Sequence, residues 1–155
     1  MTTTVTKITG LAEINKILQE LPVKVEVQII RGMLRAATKP IEARAKQLVP
    51  IVSADLLNSI KVSTRSRNGA VTATLRAGDK KAFYAHIVEY GSVAHVIKPK
   101  KNKKTLLVAG VPVLSVNHPG SKKTPFMRPA MDETQQEAVQ AALDYAKKRI
   151  FRLKL

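Results

Sequence analysis

The stretch "SIKVSTRSRNGAVTATLRAG", residues 59–78, constrains the fold of this chain more than any other. Ile60, Val62 and Thr64 alternate with Lys61, Ser63 and Arg65, and Val71, Ala73 and Leu75 alternate with Thr72, Thr74 and Arg76. A period of two is the signature of a strand, whose successive side chains point to opposite faces. Asn68-Gly69 between the two runs supplies the positive φ angles of a tight turn, so an antiparallel hairpin is predicted at about 59–77.

The flanking segments read as helix. "LAEINKILQEL" puts Leu11, Ile14, Leu18 and Leu21 on one face, and Pro22 ends it. "VKVEVQII" alternates as a strand would, but Ile30, Met33, Leu34, Ala37, Ile41, Ala45 and Leu48 keep a helical period, predicting one long helix over about 23–48. Pro40 lies inside it, where a missing N–H and a crowded preceding turn predict a kink near Ala36–Lys39. Pro50 ends the helix, and Ser53 is placed to cap a single turn through "ADLLNSI".

A last helix is expected over about 127–151, with Pro129, Asp132 and Glu133 in its first turn. Ala130, Ala138, Ala141, Ala142, Tyr145 and Ile150 mark its apolar side, and Lys147, Lys148, Arg149 and Arg152 suit the negative end of its dipole. Between hairpin and last helix, "HVIKPK" and "KTLLVAGVPVLSV" read as two extended pieces around a lysine-rich tip, and "NHPGSKKTP" as a loop. Pro112 makes the second piece an edge strand or breaks it. The expected class is α+β: a small antiparallel sheet packed against a long kinked N-terminal helix and a long C-terminal helix. Thr-rich residues 1–9 are expected to be a flexible tail and 10–155 a single domain, a size at which one core suffices.

Composition narrows the chemistry. With no cysteine, disulfides, thiolate metal sites and cysteine nucleophiles are excluded. Aromatics at 4% leave the core to Ile, Leu, Val and Ala. The 27 basic against 11 acidic residues give +16, an excess that calls for a polyanionic or acidic partner. No apolar run approaches the ~20 residues of a membrane span, and no apolar segment follows Met1, so neither a membrane anchor nor a signal peptide is expected and the compartment of synthesis is cytoplasmic.

Two stretches carry candidate sites. In "KKAFYAHIVEYG", residues 80–91, Phe83, Tyr84, Ile87 and Tyr90 surround His86 and Glu89, which share the i, i+3 spacing of a helical metal pair. His95 lies beyond Gly91 in another element and His118 further still, so a ligand set is not completed. The bland reading is a packed or hydrogen-bonded His86 beside an exposed Glu89. No nucleophile elbow, no paired carboxylates and no phosphate-cradling glycine loop occur. No catalytic residue, metal or cofactor is therefore expected. Lys98, Lys100, Lys101, Lys103 and Lys104, with the stripe Arg31, Arg35 and Lys39, are the candidate contacts for an anionic partner. Aromatic interleaving and recognition-helix patterns are absent there, so any nucleic-acid contact would be to backbone and non-specific. "TLLVAGVPVL" is long and apolar for a strand beside such a loop, and as a free edge it would aggregate unless covered by another subunit.

Three stretches in order, "KPIEARAKQLVPIVSADLLNSIKV", "KKAFYAHIVEYGS" and "HPGSKKTPFMRPAMDE", resemble the gene-product-ten-like tail-component family of long-tailed phages, over about residues 25–150. The segment 98–116 departs from the family pattern as an insertion. The resemblance implies a structural protein of the virion, a neck or tail-completion component at the head–tail junction, assembled in the host cytoplasm. It implies a ring, commonly hexameric, that joins head connector to tail terminator or tail tube and lets genomic DNA pass. It transfers no catalytic residue. Phe83, Tyr84, Tyr90, Gly91, Pro125, Phe126, Arg128 and Pro129 match as packing and turn positions. Phe83, Ile87 and Tyr90 are expected to bind the sheet to the rest of the domain, Gly91 to close a short helix with a left-handed cap, and Phe126 to staple the last helix to the sheet. His86 and Glu89 are expected to make polar contacts within the fold or to the next subunit. The alternative from another class is a non-specific nucleic-acid-binding module that uses the lysine loop and the arginine stripe.

Overall fold

Two long antiparallel helices carry the structure. In the computed structural model, which describes residues 11–19, 22–50, 54–100 and 104–153, α2 (Val23–Leu48) and α5 (Met127–Phe151) lie against one another along most of their length. The Arg44–Glu133 ion pair marks one end of the pairing, and Gly32 under the ring of Tyr145 marks a point nearer the other. α2 runs uninterrupted through Pro40. The short α1 (Leu11–Gln19) places Ile14 and Leu18 against Ile29, Leu143, Ala146 and Ile150 at the far end of the pair.

At the other end, α2 supports the hairpin of β1 (Lys61–Arg67) and β2 (Ala70–Arg76). Its register pairs Val62 with Leu75, Thr64 with Ala73 and Ser66 with Val71 on the inner face. Asn68 (φ 51) and Gly69 (φ 78) make the turn that the sequence predicts. The main core forms where α2, α3 (Ala54–Ser59), the hairpin, α4 (Ala85–Tyr90) and the start of α5 meet: Ile41, Ala45, Val49, Leu56, Ile60, Ala82, Ala85, Phe126 and Ala130, with Leu75 packed on it. Burial of the larger of these, Ile41, Val49, Leu56, Ile60 and Phe126, stabilises by about 1.5–3 kcal/mol each relative to exposure. Ser53, the expected cap of α3, lies outside the described residues.

Between α4 and α5 the chain forms an arm. β3 (His95–Ile97) pairs antiparallel with β6 (Val116–His118), and β4 (Leu106–Val108) pairs with β5 (Val111–Val113). The extended piece expected over 104–116 is broken, at Ala109-Gly110 and not at Pro112. Ala109 (φ 49) and Gly110 (φ 84) turn it back on itself, and Pro112 sits on an edge strand opposite Leu107. The expected loop 117–125 is likewise strand at its start, because His118 pairs with His95. These strands pair with each other and make only slight contact with the helices.

Candidate functional site

The segment 80–91 meets the start of α5, and the accounting of backbone donors there is complete. Asp79 Oδ1 accepts the amides of Lys81 and Ala82, which turns the chain toward α4. Those amides, opposed weakly by burial and helped by Lys61 and Lys81, hold the Asp79 carboxyl below the usual range. From α4, Glu89 reaches across to α5. Its Oε2 accepts the amides of Phe126 (2.8 Å) and Met127 (2.9 Å), and its Oε1 that of Arg128 (3.0 Å). Pro129 has no N–H, and Ala130 N–H returns to the Phe126 carbonyl at 3.2 Å, in the helix's own ladder. One carboxylate and one proline thus satisfy the amides that open a 25-residue helix. The negative charge also meets the positive end of the helix dipole. Burial pushes the Glu89 carboxyl up, but the three amides and the Arg128 guanidinium outweigh it and hold it below the usual carboxylate range.

This geometry corrects several expectations. Glu89 is only 7% exposed, not a solvated partner of a packed histidine. His86 is the exposed one, its Nδ1 donating to the Phe83 carbonyl at 2.9 Å. Phe83 and Tyr90 do not bind the sheet to the domain, because each is 71% exposed. Phe83 precedes the six-residue α4 and packs edge-on against Tyr84, and Tyr90 is the last residue of that helix. Ile87 is half-buried, and Phe126, at 0% exposure, is the aromatic that holds the elements together. Asp132 and Glu133 lie beyond the first turn of α5, where Glu89 supplies the anion in their place. Pro125 and Arg128 are exposed and Pro129 half-buried. Gly91 closes α4 at φ 75 as expected in sign, but its ψ of −177° is extended, not the left-handed helical value. A Cβ there would stand 2.7 Å from the Ser121 carbonyl oxygen. Beside it, Ser92 and Ser121 exchange two backbone hydrogen bonds at 3.0 Å, which clamp the root of the arm.

Of the histidines, the fold brings together His95 and His118, whose rings stack across β3–β6 with centroids 5.1 Å apart. His95 Nδ1 donates to the Val93 carbonyl, and His118 Nδ1 accepts from the Gly120 amide. Among the described residues no three His, Asp or Glu side chains converge as metal ligands would.

The basic candidates fall on separate surfaces. Arg31, Arg35 and Lys39 are exposed on α2 and, with Gln28, Gly32, Ala36 and Tyr145, line a shallow groove of about 470 Å³. Lys98, Lys100 and Lys104 are exposed at the arm, while Lys101 and Lys103 lie outside the described residues. The apolar stretch 105–114 is exposed, not buried in the core: Leu107 (78% exposed) and Leu114 (76%), with Val108 and Val111, form an apolar skin on the arm that Val93 (83%) and Val96 extend. One further surface is not among the sequence candidates: the outer face of β1–β2, where strand alternation alone could have gathered the cations.

Among the described residues, then, a short helix caps a long one and an apolar arm stands off the helical body. The family model described as "Bacteriophage HK97-gp10, putative tail-component" matches residues 12–91, just over half of the chain. The chain belongs to this HK97-gp10-like family of phage tail components, and is thereby a virion-associated structural protein. No curated protein and no solved structure gives a significant match. The match ends at Gly91, where the arm begins, so "TPFMRPA" and α5 lie outside it. No helix among the described residues is long and apolar enough to cross a membrane.

Proposed function

We propose that the protein is a ring-forming neck or tail-completion joint at the head–tail junction, contacting the head connector on one side and the tail terminator or tube on the other. A hexameric ring with a lumen for genomic DNA is the expected form, assembled in the host cytoplasm. The observation that carries this reading is the arm. Its β4–β5 hairpin exposes Leu107, Val108 and Val111 and makes no more than slight contact with the helices. Exposed apolar strands of this kind invite edge pairing and aggregation unless a neighbour covers them. A second copy in a closed ring would cover every arm at once, because each subunit then presents the same surface to the next.

The test is the mass of the full chain in solution, alone and mixed with connector or tail-terminator protein. A closed oligomer, or a stable complex with either partner, is the expected result. A persistent monomer that binds neither overturns the reading.

A further inference from the structure

We infer that the outer face of the β1–β2 ribbon is a binding surface for the phosphate backbone of duplex DNA, read without regard to sequence. The inference stands apart from the ring reading, since a monomer that bound DNA here would sink the ring and leave the ribbon.

The argument begins with register. Lys61 stands directly opposite Arg76, Ser63 opposite Thr74, Arg65 opposite Thr72, and Arg67 opposite Ala70. All four cations of the hairpin therefore project from one face, with Ser and Thr hydroxyls between them. No Asp or Glu occurs between Asp55 and Asp79, and among the described residues none of the four cations is in an ion pair. Asp79, at the foot of the ribbon, lies near enough to Lys61 to feel its charge, but its carboxylate is engaged by the amides of Lys81 and Ala82.

Like charges directly across a strand pair destabilise the sheet. The Lys61–Arg76 pair is thus a local penalty that the fold carries, and a bound polyanion would turn it into attraction. Seven-residue strands span about 20 Å, enough to follow several phosphates. Between them the side chains form a concavity of about 580 Å³ that includes Ser63, Arg65, Arg67, Thr72, Thr74 and Arg76. Arginine with serine and threonine is the usual donor set for phosphate oxygens.

The same face lacks what other partners need. It presents no large apolar side chain to anchor a protein interface, where aromatic and apolar residues form the buried centre. It carries no aromatic ring on which single-stranded bases could stack. The α2 stripe and the arm lysines are the competing sites, but neither shows cations held opposite one another by register.

The experiment is a fluorescence-anisotropy titration of the full chain with two labelled duplexes of unrelated sequence, over a range of salt concentrations. Binding is expected to weaken linearly in log salt and equally for both duplexes. The Arg65→Gln/Arg67→Gln/Arg76→Gln variant should lower the salt slope by about 2–3 and weaken low-salt binding at least about 10-fold. Its urea midpoint should not fall, because it removes the opposed pair; should it fold poorly, Arg65→Gln alone should still lower the slope by about 1. The Arg31→Gln/Arg35→Gln/Lys39→Gln variant should bind as the parent does. Three results overturn the inference: a ribbon variant with the parental slope, a stripe variant that accounts for the loss, or poly-glutamate bound at the ribbon while duplex DNA is not.

Discussion

Glu89 accepts the amide of Phe126 at 2.8 Å across 37 positions of sequence, and this bond sets how α5 enters the fold. Phe126 contributes in two directions at once. Its backbone is held by the carboxylate, and its ring is wholly buried among Leu56, Ile60, Ala82 and Ala85.

Glu89→Ala should therefore destabilise the protein by about 3 kcal/mol, since it strands amides of Phe126, Met127 and Arg128 with little water to replace the carboxylate. Glu89→Gln keeps acceptor oxygen and should lose roughly half as much. Urea denaturation at neutral pH measures both; equal midpoints for Ala and parent would show that the cap contributes nothing.

The same carboxylate makes stability depend on acid. Its folded-state pKa is depressed, so its contribution is present above the unfolded value of about 4.3 and is lost as pH falls through the folded one. Thermal midpoints of the parent should drop on acidification below about pH 4, and those of Glu89→Gln should drop less steeply. Parallel curves would assign the acid sensitivity to other groups.

Phe126→Ala should cost about 3–5 kcal/mol, as large-to-small changes at fully buried aromatics do. Phe83→Ala, with its ring in solvent, should change stability by less than about 1 kcal/mol. The pair of denaturant midpoints tests the assignment, and a reversal of their order would overturn it.

At the arm, Leu107→Ser combined with Leu114→Ser should reduce self-association while leaving the urea midpoint within about 0.5 kcal/mol, because both side chains are exposed in the single chain. Sedimentation at several concentrations reads the first effect. Unchanged assembly would move the subunit contact elsewhere.

Ala109→Asn should stabilise the β4–β5 hairpin by about 0.5–1 kcal/mol, since alanine at φ 49 is strained where asparagine is tolerated. Slower amide exchange in Leu106–Val113 is the expected readout, and unaltered exchange would place the limiting opening event outside the turn.

The contrast between the two hairpins explains what the sequence reveals and what it hides. Asn68-Gly69 is a turn whose chemistry matches its backbone, so β1–β2 is legible from residue types alone. Ala109-Gly110 makes a turn of the same sign with a residue that disfavours it, so the residue types point to an edge strand or a break at Pro112 and not to a turn at Ala109. The long helices were visible because Ile41 and Ala45, or Ala130 and Ala138, recur with the helical period on buried faces. The role of Glu89 was not, because nothing near it in sequence records that free amides will arrive from α5. Phe83 is illegible for the converse reason: an aromatic in an apolar run looks buried, and nothing local shows that it falls ahead of α4 with its ring in solvent.

The clamp of Ser92 on Ser121, beside Gly91 and Gly120, has an architectural consequence. The chain leaves the helical body and returns to it at nearly one point, so everything between is a cassette. Its length and surface should therefore tolerate change with the core left in place, provided the root keeps its two glycines.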